Sequence, residues 1–173
     1  MSELAAGAAI PVTTAHREMA RLVDAALVCS RPAGRTRLHR ANVDHPAAAA
    51  LTELLTRSFG PAPVGAEEFA DLPDVDRIVV FGSWAARHTG EDGPPPADVD
   101  VLVVGAPPRA QVYEAAERAR QRLGLPVNPV VRTPAQWAAA DDPLTAQVLG
   151  SAHLIVLDHT AGPPDDAMAG RTA

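Results

Sequence analysis

The apolar run Ile78-Val79-Val80-Phe81 ends on Gly82-Ser83, and after 14 intervening residues the segment Asp98-Val99-Asp100 opens a second run, Val101-Leu102-Val103-Val104. Short, β-branched runs of this kind read as buried strands. Each carries chemistry at one end. A glycine followed by a hydroxyl at a strand terminus lets backbone N–H groups approach phosphate oxygens. Two aspartates at i and i+2 of a strand point to one face, where they can share a hard divalent cation that takes oxygen ligands. Either feature alone is ordinary: Gly-Ser marks many turns, and aspartates often end strands in solvent. Together, each in its strand context, they suggest a triphosphate grip beside a metal site, and hence phosphoryl or nucleotidyl transfer.

Phe81-Gly82-Ser83 followed by Asp98-Val99-Asp100 resembles the signature of the DNA polymerase β-type nucleotidyltransferase superfamily, in its small, minimal-domain branch, over roughly residues 60–158. The resemblance implies an α+β fold with a mixed sheet flanked by helices. It implies that Gly82 and Ser83 bind the triphosphate of an NTP. Asp98 and Asp100 would be the catalytic pair that holds Mg²⁺ or Mn²⁺. A hydroxyl acceptor would attack the α-phosphorus and expel pyrophosphate, with the protein mainly positioning the reactants. Members of that superfamily usually add a third carboxylate from a later strand. Here the matching strand is Leu125 to Val131, and the position is Asn128. An amide cannot take a proton at neutral pH. Another group serves as base, the metal alone activates the acceptor, or the domain binds nucleotide without turning it over.

A chain of 173 residues suits one ordinary domain or two small ones. Its apolar content of 47% supports a core, and only 3% aromatics means a core of Ala, Val and Leu. Cys29 is the single cysteine, which rules out an intramolecular disulfide and argues against a cysteine zinc site. No apolar stretch approaches the ~20 residues of a membrane span, and the start has no basic-then-apolar signal pattern. The expectation is a soluble, cytoplasmic protein without a membrane partner.

The net charge of −6 is unevenly spread. Residues 1–42 hold six arginines against Glu3, Glu18 and Asp24, and the remainder holds nine arginines against 18 acids. Such asymmetry points to a nucleic-acid-binding end. Residues 2–9 read as a short helix with Ser2 as its cap. Thr13 would cap a second helix running to about Leu27, with Ala15, Met19, Leu22, Val23 and Ala26 at helical spacing. Two helices around so short a turn look like a helix-turn-helix, whose second member would offer Thr13, Thr14, His16 and Arg17 to a major groove. Two extended arms around Pro32-Ala33-Gly34 then carry Arg31, Arg35 and Arg37, like a wing that touches phosphate. The order helix, helix, basic hairpin resembles bacterial winged-helix transcription regulators over residues 2–42. The resemblance implies a truncated module lacking a helix ahead of Ser2, with Ala9 at a turn position that glycine usually holds. A small helical dimerisation or packing module with a basic face is the alternative.

Asn42 or Asp44 would cap a helix from about Pro46 to Arg57, broken by the stretch 58–63, and this linker over 43–60 is a candidate for homodimer contact. Residues 67–71 read as a short helix before the first strand, Arg87 as a solvated side chain, and 111–123 as an exposed amphipathic helix. Trp137 reads as core, 153–157 as an edge strand, and 159–173 as a disordered tail. The organisation expected is a DNA-binding module over 1–42, a linker helix over 43–60 and a nucleotidyltransferase-like domain over 61–158. Two functions fit. One is Mg²⁺-dependent transfer of an NMP to a hydroxyl acceptor, coupled to DNA binding. The other is a DNA-binding regulator whose second domain only senses nucleotide.

Overall fold

The computed structural model describes residues 1–34 and 36–160. The chain divides into two compact units, Met1–Leu55 and Thr56–Ala173.

The first unit contains α1 (Ser2–Gly7), α2 (Val12–Asp24) and an antiparallel hairpin of β1 (Val28–Ala33) and β2 (Thr36–Ala41). Ala9 takes the left-handed conformation, φ +50°, at the turn between the helices, where the sequence offers alanine in place of the usual glycine. The predicted caps are not used. Ser2 lies inside α1, whose N-cap is Met1. Pro11 stands at the N-cap of α2, so Thr13 falls inside the first turn. Proline's fixed φ and missing N–H suit a helix start, and here they override the hydroxyl. Pro32 and Ala33 also belong to β1 rather than to the turn. Asn42 does not cap the next helix: its Nδ2 donates to the Ala26 carbonyl at 2.8 Å, tying the hairpin base to the end of α2.

Helix α3 (Ala48–Phe59) ends later than its composition suggests, and α4 (Pro61–Phe69) follows at once, with Gly60 as its N-cap. Pro61 and Pro63, read above as breakers, sit in the first turn of a new helix, where proline costs no intrahelical bond. The short helix expected at 67–71 is thus the last turn of α4.

The second unit is built on a four-stranded mixed sheet of β3 (Val75–Phe81), β4 (Val99–Gly105), β5 (Val127–Arg132) and β6 (Leu154–Asp158), in the order β5-β4-β3-β6. β3 runs antiparallel to β4 and β6, and β4 runs parallel to β5. β4 is central, buried on both faces, and accordingly reads as a continuous apolar run. On one face, Ile78, Val80, Val99, Val101 and Val103 pack under α4 and α6 (Arg109–Leu123), with Phe69 wholly buried. On the other, Val79, Leu102 and Val104 meet Val148 of α8 (Pro143–Leu149), with Trp137 of α7 (Pro134–Ala139) and Phe81 packed alongside. Trp137, expected in the core, is partly buried and packs against its edge, and β6 is an edge strand. The remaining helix, α5 (Gly82–His88), starts directly from the end of β3.

Ion pairs fasten the periphery. Arg122 and Arg118 of α6 reach Glu68 of α4 at 2.7 and 2.8 Å, and Arg77 of β3 holds Asp158 of β6 at 2.8 Å. Of the predicted tail, His159 and Thr160 are tied back: the His159 N–H donates to the Asp76 carbonyl at 2.8 Å. The rest, 161–173, lies outside the described residues.

Candidate functional site

Register places the site. Phe81 lies opposite Asp100, and Asp100 opposite Asn128, so one row crosses three strands at one end of the sheet. Side chains alternate along a strand. Asp98 and Asp100 therefore share the face of Leu102 and Val104, just beyond the cover supplied by α7 and α8. The Asn128 Nδ2 donates to Asp98 Oδ2 at 3.0 Å and to Asp100 Oδ1 at 3.3 Å. Both carboxylates thus converge on a single donor. Asn128 is exposed, while the aspartates are half-buried.

Gly82 is fitted to this row. Its φ is +72°, which favours glycine, and a Cβ built there would come within 2.4 Å of Asp100 Oδ2. The strand therefore turns into α5 with the Asp100 carboxylate lying directly against the Gly82 Cα. The first N–H groups of a helix have no intrahelical acceptor and attract anions. At α5 those groups belong to Gly82, Ser83 and Trp84, and the Ser83 side chain is exposed beside them.

The electrostatics favour a cation. Burial pushes the Asp100 carboxyl above its ordinary 3.8, the Asp98 charge pushes the same way, and only the Asn128 amide pulls back. Two carboxylates facing one point at this spacing suit a hard divalent ion. Among the described residues no group of three or more His, Cys, Asp or Glu could hold a metal. The residues present fit a single cation with two protein ligands, leaving its other positions to phosphate oxygens and water, as Mg²⁺ is commonly bound.

Arg87 does not reach this site. Its Nη1 donates to the Glu91 carbonyl, and its guanidinium lies against Gly93, so it pins the proline-rich loop between α5 and β4 rather than standing in solvent. A cluster that the sequence reading passed over lies further along. Asp142 caps α8, accepting from the Leu144 and Thr145 N–H groups at 3.1 and 3.3 Å, and pairs with Arg132 at 3.1 Å. The signal was present in Asp142-Pro143, a cap followed by a proline at the first helical position.

The residues read as DNA contacts do not form one surface. Thr13, His16 and Arg17 are exposed on α2, whereas Thr14 is half-buried. Arg17 is paired with Glu18 at 3.2 Å. In the hairpin Arg31 lies opposite Leu38, and Arg37 opposite Pro32. With side chains alternating along each strand, Arg31 and Arg37 project from opposite faces. Arg37 joins His16, Met19, Val23, Ser30 and His39 around a groove of about 760 Å³ between α2 and the hairpin. Arg31 points away from it, beside Leu38 and Arg40. Arg35, at the hairpin tip, lies outside the described residues.

No family model matches the chain, and no curated protein matches it. Among solved structures, it is similar to a chain of a mutant MntA–HpeT toxin–antitoxin pair, at 15% identity and a TM-score of 0.42, over 57% of this chain and 74% of that one. It is also similar to a chain of a tri-AMPylated HEPN toxin in complex with MNT antitoxin from Shewanella oneidensis, at 16% and 0.38, over 56% and 69%. A candidate nucleotidyltransferase from Sulfolobus solfataricus is similar at 14% and 0.40, over 70% and 96%. Among the described residues no helix is long and apolar enough to cross a membrane.

Proposed function

We propose that the second unit binds a nucleoside triphosphate with one divalent cation and transfers the nucleoside monophosphate to a hydroxyl acceptor. The observation that carries this reading is the convergence of Asp98 and Asp100 on one point, against the Cα of Gly82, at the start of α5. The two carboxylates would hold Mg²⁺ or Mn²⁺. When bound, that ion would neutralise charge on the phosphate oxygens. Ser83 and the open N–H groups of α5 would take the phosphates. Phe81, half-buried against the core and opposite Asp100, anchors that end of β3 where α5 departs from it. Asn128 orders both carboxylates but can take no proton from the acceptor, so transfer should be slow.

The experiment is incubation with each α-labelled NTP, Mg²⁺ and host-cell lysate, comparing wild type with Asp98→Ala/Asp100→Ala. Label transferred by the wild type and lost in the double variant supports the assignment. Label that survives the double substitution removes these residues from the reaction.

A second reading rests on Asn128. With a neutral amide in the row, the unit would bind nucleotide and cation without turnover and act as a sensor. Cation-dependent nucleotide binding with no transferred label decides for it. In either case the first unit would be directed to DNA. What supports this is a hairpin without an acid, with Arg37 beside His16 at the groove and Arg31 and Arg40 together on its other face. Fluorescence anisotropy with a labelled duplex at low salt tests it, and no binding there would discard the DNA role.

A further inference from the structure

Helix α3 runs for three turns without one buried residue. Leu54, Leu55 and Phe59 are 59%, 49% and 69% exposed, and Leu51 is half-buried. A single exposed leucine needs no explanation. An aligned stripe does: at 100° per residue, Ala48, Leu51, Leu54, Leu55, Ser58 and Phe59 fall on one side, and Glu53 and Arg57 fall on the other. We propose that this stripe pairs with the same stripe of a second copy of the chain, the two helices running antiparallel.

The occupant follows from spacing, size and charge. Positions 48, 51, 55 and 58 are spaced 3-4-3, the pattern of a two-helix seam. A two-fold axis at residue 53 sets Leu51 against Leu55 of the other copy and Ala48 against Ser58, and brings Phe59 to the alanine-lined start of the other helix. Each large end thus meets a small one. A parallel pair would oppose Phe59 to Phe59 and leave alanine facing alanine, a clash at one end and a gap at the other. A two-fold contact of this kind is self-complementary and closed. The chain carries −6 overall, which opposes self-association. The seam itself holds no charge, and the one acid and one base of α3 lie on its far side, so pairing desolvates neither. A standard interface takes about 800 Å² from each partner, and three turns supply less. The dimer should therefore be reversible, with a dissociation constant on the order of micromolar.

The test is sedimentation of the full chain from low to high micromolar concentration. The expected result is a concentration-dependent shift from monomer to dimer. Leu55→Glu or Phe59→Glu should weaken dimerisation at least tenfold, and Ala49→Glu, on the outer side, should not. Circular dichroism of each variant separates lost pairing from lost folding. Orientation is read in a Cys29→Ser background: a mixture of Ala48→Cys and Ser58→Cys chains should cross-link to each other, and Ser58→Cys alone should not. A monomer at every concentration, an unchanged dimer in folded Leu55→Glu, or efficient Ser58→Cys homodisulfides would overturn the proposal.

Discussion

The Asp100 carboxylate occupies the space in which a side chain on residue 82 would stand, with Oδ2 only 2.4 Å from the place of a Cβ on Gly82. The glycine is thus required by the carboxylate as well as by its own backbone. Gly82→Ala should displace Asp100 and strain a residue at φ +72°, at a cost of about 1–2 kcal/mol for the left-handed backbone. Thermal unfolding should show a modest fall in stability. Calorimetry should show a fall of at least tenfold in cation-dependent nucleotide affinity. Unchanged affinity would separate Gly82 from the site.

Asn128→Asp puts a third carboxylate where an amide now donates to both aspartates. Without a cation the three charges repel, and the unit should lose stability. With Mn²⁺ the order should reverse, the variant binding the ion more tightly than wild type and gaining more in melting temperature from it. If the sensor reading holds only for want of a base, the variant should also transfer label faster. Differential scanning fluorimetry with and without Mn²⁺ reads the first effect, and label transfer the second.

Asp142 gives the second unit an acid-sensitive fastening. The Arg132 guanidinium, the Thr145 hydroxyl and the Thr145 N–H together hold its carboxyl far below its ordinary 3.8. A carboxyl depressed on folding contributes stability that is full above the unfolded value and is lost as pH falls toward the folded one. The urea midpoint should therefore drop on acidification below about pH 4. Asp142→Asn, which keeps a capping oxygen and loses the charge, should start lower at neutral pH and change less with acid. An equal acid response in both proteins would contradict this.

Phe69 is wholly buried beneath the sheet. Phe69→Ala should cost about 3–5 kcal/mol through lost burial and a cavity, enough to unfold much of a marginally stable unit. Denaturant titration followed by tryptophan fluorescence checks it, since Trp84 belongs to the same cluster.

Much of the second unit was legible because its signals are local. The run from Ile78 to Phe81 and that from Val101 to Val104 are strands because β-branched residues pack there on both faces, and the i, i+2 aspartates share a side by backbone geometry alone. Asn128 could be named as the position facing them, although its two hydrogen bonds could not. What failed were signals with two meanings. Pro61 and Pro63 stop a helix or start one, and only the cover that Phe69 finds in the core decides for a start. Thr13 lost its cap to Pro11 for the same reason of position. Arg31 and Arg37 look like one basic surface in the sequence, but the hairpin register, fixed by pairing across the turn, sends them to opposite faces. The Arg132–Asp142 pair joins a strand end to a helix start, and only the cap half of it was written locally.

The central claim is that Asp98 and Asp100 hold a divalent cation together with a nucleotide. The most direct measurement is an electron paramagnetic resonance titration, following the free Mn²⁺ signal as protein is added with and without each NTP. The account predicts that wild type removes free Mn²⁺ beyond what nucleotide alone removes. It also predicts that Asp98→Ala/Asp100→Ala abolishes the excess while keeping its fold. An excess equal in both proteins, or none in wild type with any NTP, would contradict it.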